Sequence, residues 1–181
     1  NFHQNFNLYK KDIIVDWIYL KEEILRFDLK VKKISKSDKK TCLVLGQYFS
    51  LYGYLDRQEE LNHYLRLCKF IENQGYYIFW KEHPRNHNPF YNEIKQSIKS
   101  FENLSHSDGR DIPIELIASQ LNIDLFVSVT STSLITLNKL FNYKILSSAP
   151  LIKDKLVGAD RFVAETLLIN LNDKELLESM E

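Results

Sequence analysis

Short apolar runs alternate with helix-like segments from residue 41 onward, and this alternation limits the fold more than any other feature. The apolar runs, which predict strands, lie at residues 41–45, 76–80, 101–104, 124–129 and 143–146. Helical periodicity lies between them at residues 59–73, 88–100, 113–121 and 133–141. Such alternation is typical of a parallel sheet with right-handed crossovers, and continuous apolar runs suit strands buried on both faces. We predict an α/β fold with a Rossmann-like, doubly wound parallel sheet of strand order 3-2-1-4-5.

The two ends of the chain differ from this central part. Helical periodicity runs from Asp12 to Leu29, and a stretch rich in lysine and serine follows from Lys30 to Lys40. We therefore predict a helical segment with a basic linker over residues 1–40, a Rossmann-like domain over 41–150, and C-terminal helices over 151–181. The linker suits solvent, or alternatively a contact with an acidic membrane surface. The helix before it suits packing on another domain or in a homodimer.

Composition excludes several classes of function. The 24 basic and 24 acidic residues balance, which argues against non-specific nucleic-acid binding. No apolar run approaches the roughly 20 residues that span a bilayer. Cys42 and Cys68 lie in apolar stretches, which predicts buried free thiols and a reducing, cytoplasmic location, with the membrane's inner face as the alternative contact. The histidines show no metal-ligand spacing, so we expect no metal. We also expect no cofactor.

Two polar motifs follow predicted strands. Residues 80–85 read Trp-Lys-Glu-His-Pro-Arg after the second strand, and residues 130–133 read Thr-Ser-Thr-Ser after the fourth. In the predicted order the topological switch point lies between strands 1 and 4, where such sheets bind ligands. The hydroxyl-rich motif therefore leaves the sheet at the switch point, and the histidine motif leaves the strand beside it.

The first motif centres on His83. Pro84 disfavours helical geometry at the residue before it, so we predict that the strand extends through His83. Lys81 and His83 then share one face of the strand. An imidazole at this position can hold a phosphate oxygen or give a proton to a phosphate leaving group. The structural alternative is a histidine bonded to a local carbonyl.

The second motif places Thr130, Ser131, Thr132 and Ser133 at the start of a helix predicted from residue 133. Capping explains one of these hydroxyls. Free amides and the positive end of the helix dipole make the same place an anion site. We predict that the motif binds phosphate.

Three further residues are candidates for the same site. Gly46 ends the first strand, where it forms a plain turn or lets the backbone approach a ligand, and Gln47 follows it. The spaced glycines of a dinucleotide fingerprint and the P-loop pattern are absent, which weakens hydride-transfer and P-loop functions. Glu115 lies in the first turn of a predicted helix, where a carboxylate favours the helix dipole or accepts hydrogen bonds from a ribose.

The His83-Pro84 pair and the later Thr130–Ser133 run resemble the donor-binding, C-terminal half of bacterial sialyltransferases with the two-domain GT-B architecture. The similar groups are the lipooligosaccharide sialyltransferases and the capsular polysialyltransferases, and the similarity covers about residues 41–150. In these families a His-Pro motif and a Ser/Thr pair contact the phosphate of CMP-sialic acid. The resemblance implies that His83 is catalytic, that Ser131 and Thr132 form the pair, and that Glu115 holds the ribose.

The same resemblance implies a metal-independent, inverting transfer to a glycan acceptor in lipooligosaccharide or capsule. The acidic motif that activates the acceptor in those families has no clear counterpart, since Asp108-Gly109 keeps only its second half. CDP-glycerol-type polymer transferases are an alternative, although they usually have Asp-Tyr-Ser-Ser where this chain has Val129-Thr130-Ser131-Thr132. A non-catalytic nucleotide-binding module is a third hypothesis.

Overall fold

The computed structural model describes residues 17–27, 29, 38–83, 90–104 and 110–170. At its centre lies a parallel sheet built from β1 (Lys40–Leu45), β2 (Tyr76–Lys81), β3 (Phe101–Asn103), β4 (Leu125–Ser128) and β5 (Ile145–Ser147). The strand order is β3-β2-β1-β4-β5. The predicted fold class and strand order are therefore confirmed, and the switch point lies between β1 and β4.

Helices connect the strands at nearly the predicted positions. They are α1 (Trp17–Leu25), α2 (Arg57–Asn73), α3 (Tyr91–Ser97), α4 (Ile114–Leu121), α5 (Thr132–Phe141) and α6 (Gly158–Asn170). Short 3-10 turns lie at Ser50–Tyr52 and Ala149–Lys155. The prediction placed the ends of α2, α4 and α5 at the residues where they end, because Asn, Gly and the loss of apolar periodicity mark helix ends.

Both faces of the sheet are covered. Residues of β1 point alternately to the two faces, so Cys42 and Val44 join one apolar cluster with α2 and α3, and Leu43 and Leu45 join another with α4 and α5. This two-sided burial explains why the strands appear as continuous apolar runs. Cys42 and Cys68 are buried and free, as predicted, and burial raises the pKa of both thiols.

Helix α2 has a capping box at its start that fixes the loop before it. The Asp56 carboxylate accepts a hydrogen bond from the Glu59 amide at 2.7 Å, and the Glu59 carboxylate accepts one from the Asp56 amide. Gly75 ends the connection to β2 with a positive φ of 85°. Helix α2 is thus held at both ends beneath the loop that follows β1.

The structure describes only part of the segments that were predicted at the two ends of the chain. Helix α1 lies within the segment expected over residues 1–40, but residues 1–16 and 30–37 lie outside the described residues. Helix α6 ends at Asn170, and residues 171–181 also lie outside them. The boundaries at 40 and 150 stay predictions, as do the membrane contact and the cytoplasmic location. No helix in the described part of the chain is both long and apolar enough to cross a membrane.

Candidate functional site

A cleft of about 440 Å³ lies at the carboxyl ends of β1, β2 and β4, beside the starts of α4, α5 and α6. The predicted site residues that line it are Gly46, Gln47, Lys81, His83, Glu115, Thr130, Ser131, Thr132 and Ser133. Pro84, the remaining predicted site residue, lies outside the described residues. The fold thus brings together at the switch point candidates that are separated by up to 87 residues along the chain, from Gly46 to Ser133.

Gln47 bridges the ends of β1 and β4 across the switch point. Its Oε1 accepts a hydrogen bond from the Thr130 amide at 2.8 Å and lies 2.9 Å from the Ser128 hydroxyl. Its Nε2 donates to Thr130 Oγ1 at 3.2 Å. The Tyr64 hydroxyl donates to the Gln47 carbonyl at 2.8 Å and accepts from the Gln47 amide at 2.9 Å. The Gln47 side chain therefore holds the cleft together.

The four consecutive hydroxyls have different surroundings. Thr130 is buried and donates to the Asp160 carboxylate at 2.8 Å. Ser131 is the N-cap of α5, and its hydroxyl oxygen accepts from the Ser133 amide at 3.3 Å. The helix begins at Thr132, one residue before the predicted start, and the Thr132 side chain is exposed. Capping thus accounts for one hydroxyl, and structural hydrogen bonds account for a second.

The prediction that the second strand extends through His83 is wrong, because β2 ends at Lys81. The neighbouring strand β3 is three residues long, and its last pairing with β2 joins Trp80 to Asn103. The last bond to β1 at this end runs from the Gly46 amide to the Lys81 carbonyl at 2.9 Å. Beyond it the Asn103 side chain donates to the Glu82 carboxylate at 3.1 Å. His83 leaves the sheet yet still lines the cleft, half-buried.

Lys81 lies at the bottom of the cleft. It is 5% exposed, and its ammonium donates to the Arg110 carbonyl. Burial lowers its pKa to about 8, while the carboxylates of Asp111 and Glu115 oppose that change. Lys81 therefore holds the segment before α4 in place and adds a buried positive charge beneath the cleft.

Gly46 has a packing reason to lack a side chain. A Cβ atom built on it would lie 2.7 Å from Cζ2 of Trp80, closer than real Cβ contacts. Trp80 is fully buried on β2, beside β1. The indole ring therefore explains Gly46 without any ligand.

Glu115 lies in the first turn of α4, as predicted, and its half-exposed side chain reaches the cleft. Pro113 precedes this helix as its N-cap. The carboxylate is close to the positive end of the helix, where it is stabilised by the dipole. This position suits an interaction with the helix dipole as well as the acceptance of hydrogen bonds from a ribose, the two roles considered from the sequence.

The sequence interpretation missed Asp160. This residue lies in the first turn of α6, lines the cleft and accepts the hydrogen bond from Thr130. The only local sign is an acidic residue just after Gly158, which is typical of any helix start. Its pairing with Thr130 spans 30 residues, and no periodic pattern carries that information.

Comparison with known families agrees with this arrangement of motifs. A family model described as alpha-2,8-polysialyltransferase matches residues 11–149, which is more than half of the chain. The chain belongs to the alpha-2,8-polysialyltransferase family. No curated protein sequence matches it. The polysialyltransferase match names one of the two groups that the His-Pro and hydroxyl motifs resemble, and it leaves the lipooligosaccharide group without support.

Among the solved structures that are similar to this polysialyltransferase family member is a transferase. It is KpsC, a beta Kdo 2,7 transferase from Thermosulfurimonas dismutans, with 18% sequence identity and a TM-score of 0.40. The match covers 80% of this chain and 45% of KpsC, so the chain spans less than half the length of that structure. The family that the model describes consists of glycosyltransferases, which is the class predicted from the sequence.

Proposed function

We propose that this chain is the donor-binding part of a sialyltransferase that transfers sialic acid from CMP-sialic acid to a bacterial capsule glycan. One observation carries the proposal. His83, Glu115 and the start of α5 line a single cleft at the switch point of a parallel sheet, where such folds bind nucleotides. Membership in the polysialyltransferase family supports the donor and the polymer.

The phosphate of the nucleotide binds at the start of α5 in this proposal. The first amides of a helix lack intrahelical partners, and the helix dipole favours an anion there. Ser131 takes up the Ser133 amide with its side chain and the Leu134 amide with its carbonyl. We assign the Thr132 amide and the hydroxyls of Ser131 and Thr132 to the phosphate. The Thr130 hydroxyl donates to Asp160 and takes no part.

His83 acts on the leaving group. The acceptor hydroxyl gives up its proton to an activating base and attacks the anomeric carbon with inversion, the bond from that carbon to the phosphate oxygen breaks, and CMP departs. An imidazolium beside the phosphate stabilises the charge that develops on this oxygen, or donates its proton to it. Lys81, which is 5% exposed, adds positive charge at the bottom of the cleft. No metal is required in this scheme.

Glu115 completes the nucleotide site by accepting hydrogen bonds from the ribose. No acidic motif of the expected kind occurs in the sequence, so we assign no residue to the activation of the acceptor. Asp108-Gly109, the nearest partial match, lies outside the described residues. We therefore propose that this chain by itself binds the donor nucleotide without completing the transfer.

Calorimetric titration of the chain with CMP, UDP and CDP-glycerol tests the proposal. We expect binding of CMP in preference to UDP, and at least tenfold weaker binding of CMP by His83→Ala. His63→Ala is the matched control, because His63 is bonded to Ser148 away from the cleft. Folded protein that ignores CMP at millimolar concentration contradicts the function. Binding of CDP-glycerol instead of CMP would favour the alternative hypothesis of a polymer transferase that uses CDP-glycerol.

A further inference from the structure

A second, smaller pocket opens beside the cleft and shares residues with it. Its volume is about 220 Å³, and Gln47, His83 and Asp160 border both cavities. Its other lining residues are Tyr48, Phe49 and Tyr52. The nucleotide assigned to the cleft leaves this pocket unfilled, although His83 connects the two.

Tyr52 is the exposed part of the aromatic wall. Its side chain is 64% exposed, whereas Tyr48 and Phe49 are buried. It lies at the end of the 3-10 turn Ser50–Tyr52, and Gly53 with a φ of 73° follows it. Its ring centroid is 6.2 Å from that of Tyr54. An aromatic ring at the mouth of a cavity is available for contact with a ligand.

The backbone that carries Tyr52 is fixed before any ligand arrives. The Glu60 side chain, on α2, is fully buried, and its two carboxylate oxygens accept hydrogen bonds from the Phe49 and Ser50 amides at 2.7 and 2.8 Å. Two amide donors are what a buried carboxylate requires. These bonds fix the backbone of the turn that places Tyr52 at the pocket. Little backbone entropy is therefore lost when a ligand binds.

The wall chemistry suits a carbohydrate. Aromatic faces carry partial negative charge and pack against polarised C–H groups, and a carboxylate accepts hydrogen bonds from hydroxyls. Asp160 supplies that carboxylate, fixed in place by the Thr130 hydroxyl at 2.8 Å. The same negative charge repels another carboxylate. The pocket therefore favours the neutral, hydroxyl-bearing part of a sugar.

We propose that the pocket walled by Tyr52 and Asp160 is a carbohydrate subsite that takes the hydroxyl-bearing part of the sugar joined to the phosphate. The proposal rests on the proposed function, since it uses the position assigned to the phosphate at His83. The bond to be broken then lies at the border that His83 forms between the two cavities. The nucleotide extends to one side of that border and the transferred sugar to the other.

Comparison of CMP with CMP-sialic acid in matched variants tests the subsite. Tyr52→Ala is expected to weaken CMP-sialic acid binding about two- to tenfold and to leave CMP binding unchanged, because only the sugar reaches the ring. Tyr52→Phe keeps the ring and is expected to keep the affinity. Tyr19→Ala is the control, because Tyr19 is 61% exposed on α1 and does not line either cavity. Equal weakening of both ligands, or of neither, overturns the subsite.

A second measurement separates the subsite from the nucleotide site. Free sialic acid, followed by amide chemical shifts, is expected to perturb residues 50–53 and 159–161 in the wild type and not in Tyr52→Ala. If CMP fails to bind while these shifts appear, the proposed function falls and the subsite stands. If CMP binds and the shifts are absent, the subsite falls and the proposed function stands. If neither ligand has an effect, both proposals fall.

Discussion

The Thr130 hydroxyl donates a 2.8 Å hydrogen bond to the Asp160 carboxylate, and this bond joins the loop after β4 to the first turn of α6. The Thr130 amide and hydroxyl also bond to Gln47, so the threonine connects three segments at the switch point. The loop that precedes α5 is thereby held by contacts distant in sequence.

The first prediction concerns this bond. Asp160→Ala removes the acceptor for a buried hydroxyl and is expected to lower the free energy of unfolding by about 1 kcal/mol, since Asp160 is itself half-exposed. Asp160→Asn keeps an acceptor oxygen and is expected to restore most of the loss. Urea denaturation measures both variants. An alanine variant as stable as the wild type contradicts a structural role for the bond.

The second prediction concerns the packing of Gly46 on Trp80. Gly46→Ala places a Cβ about where the indole ring lies, and overpacking of this kind costs about 1–3 kcal/mol of unfolding free energy. Trp80→Phe alone leaves a cavity and is also destabilising. In the double variant the smaller ring admits the methyl group, so the loss is expected to be less than the sum of the single losses. Strict additivity in the thermodynamic cycle would show that the two side chains do not meet.

The third prediction separates the two roles of Glu115. If the carboxylate holds the ribose, Glu115→Gln is expected to weaken CMP binding severalfold and to leave the binding of a CMP analogue without ribose hydroxyls unchanged. If the carboxylate only interacts favourably with the helix dipole, the substitution lowers the free energy of unfolding by about 0.3–1 kcal/mol and changes the affinity for both nucleotides alike. Calorimetry with the two nucleotides, together with a thermal melt of each protein, distinguishes the roles.

The fourth prediction concerns pH. His63 is 2% exposed, and its Nε2 lies 2.9 Å from the Ser148 hydroxyl. Burial, with a smaller effect of the Arg66 charge, lowers its pKa to about 4. Between pH 6.5 and pH 4 the unfolded chain binds a proton at this position and the folded chain does not. Stability therefore falls as the pH drops through this window, by up to about 1.4 kcal/mol per unit.

Substitution of His63 isolates this contribution from that of the carboxylates. His63→Gln keeps a polar partner for Ser148 and has no titrating group. We expect the variant to lose less stability than the wild type between pH 6.5 and 4.5 in urea denaturation. Parallel pH profiles for the two proteins would assign the acid sensitivity to other groups.

The sheet could be predicted from the sequence because the patterns that mark its strands and helices lie within short stretches of the chain. Apolar runs, helix periodicity and turn residues determine the strands and their order, and the candidate residues fall at strand ends that the order brings together. The end of β2 was missed because it depends on the length of β3, which pairs across the sheet. Asp160 was missed, and the bonds that Gln47 makes across the switch point were not predicted, because the partners lie 30 and 83 residues away. The packing of Gly46 against Trp80 likewise crosses from one strand to the next.

The bridge that Gln47 makes between β1 and β4 also bears on how quickly a ligand is taken up. Since its amide already bonds to Ser128 and Thr130, and its backbone to Tyr64, the cleft floor needs no rearrangement before a nucleotide enters. If the cleft binds a nucleotide as proposed, we expect association in a single step, with an observed rate that rises linearly with nucleotide concentration. We then expect nucleotides to differ in affinity mainly through their dissociation rates.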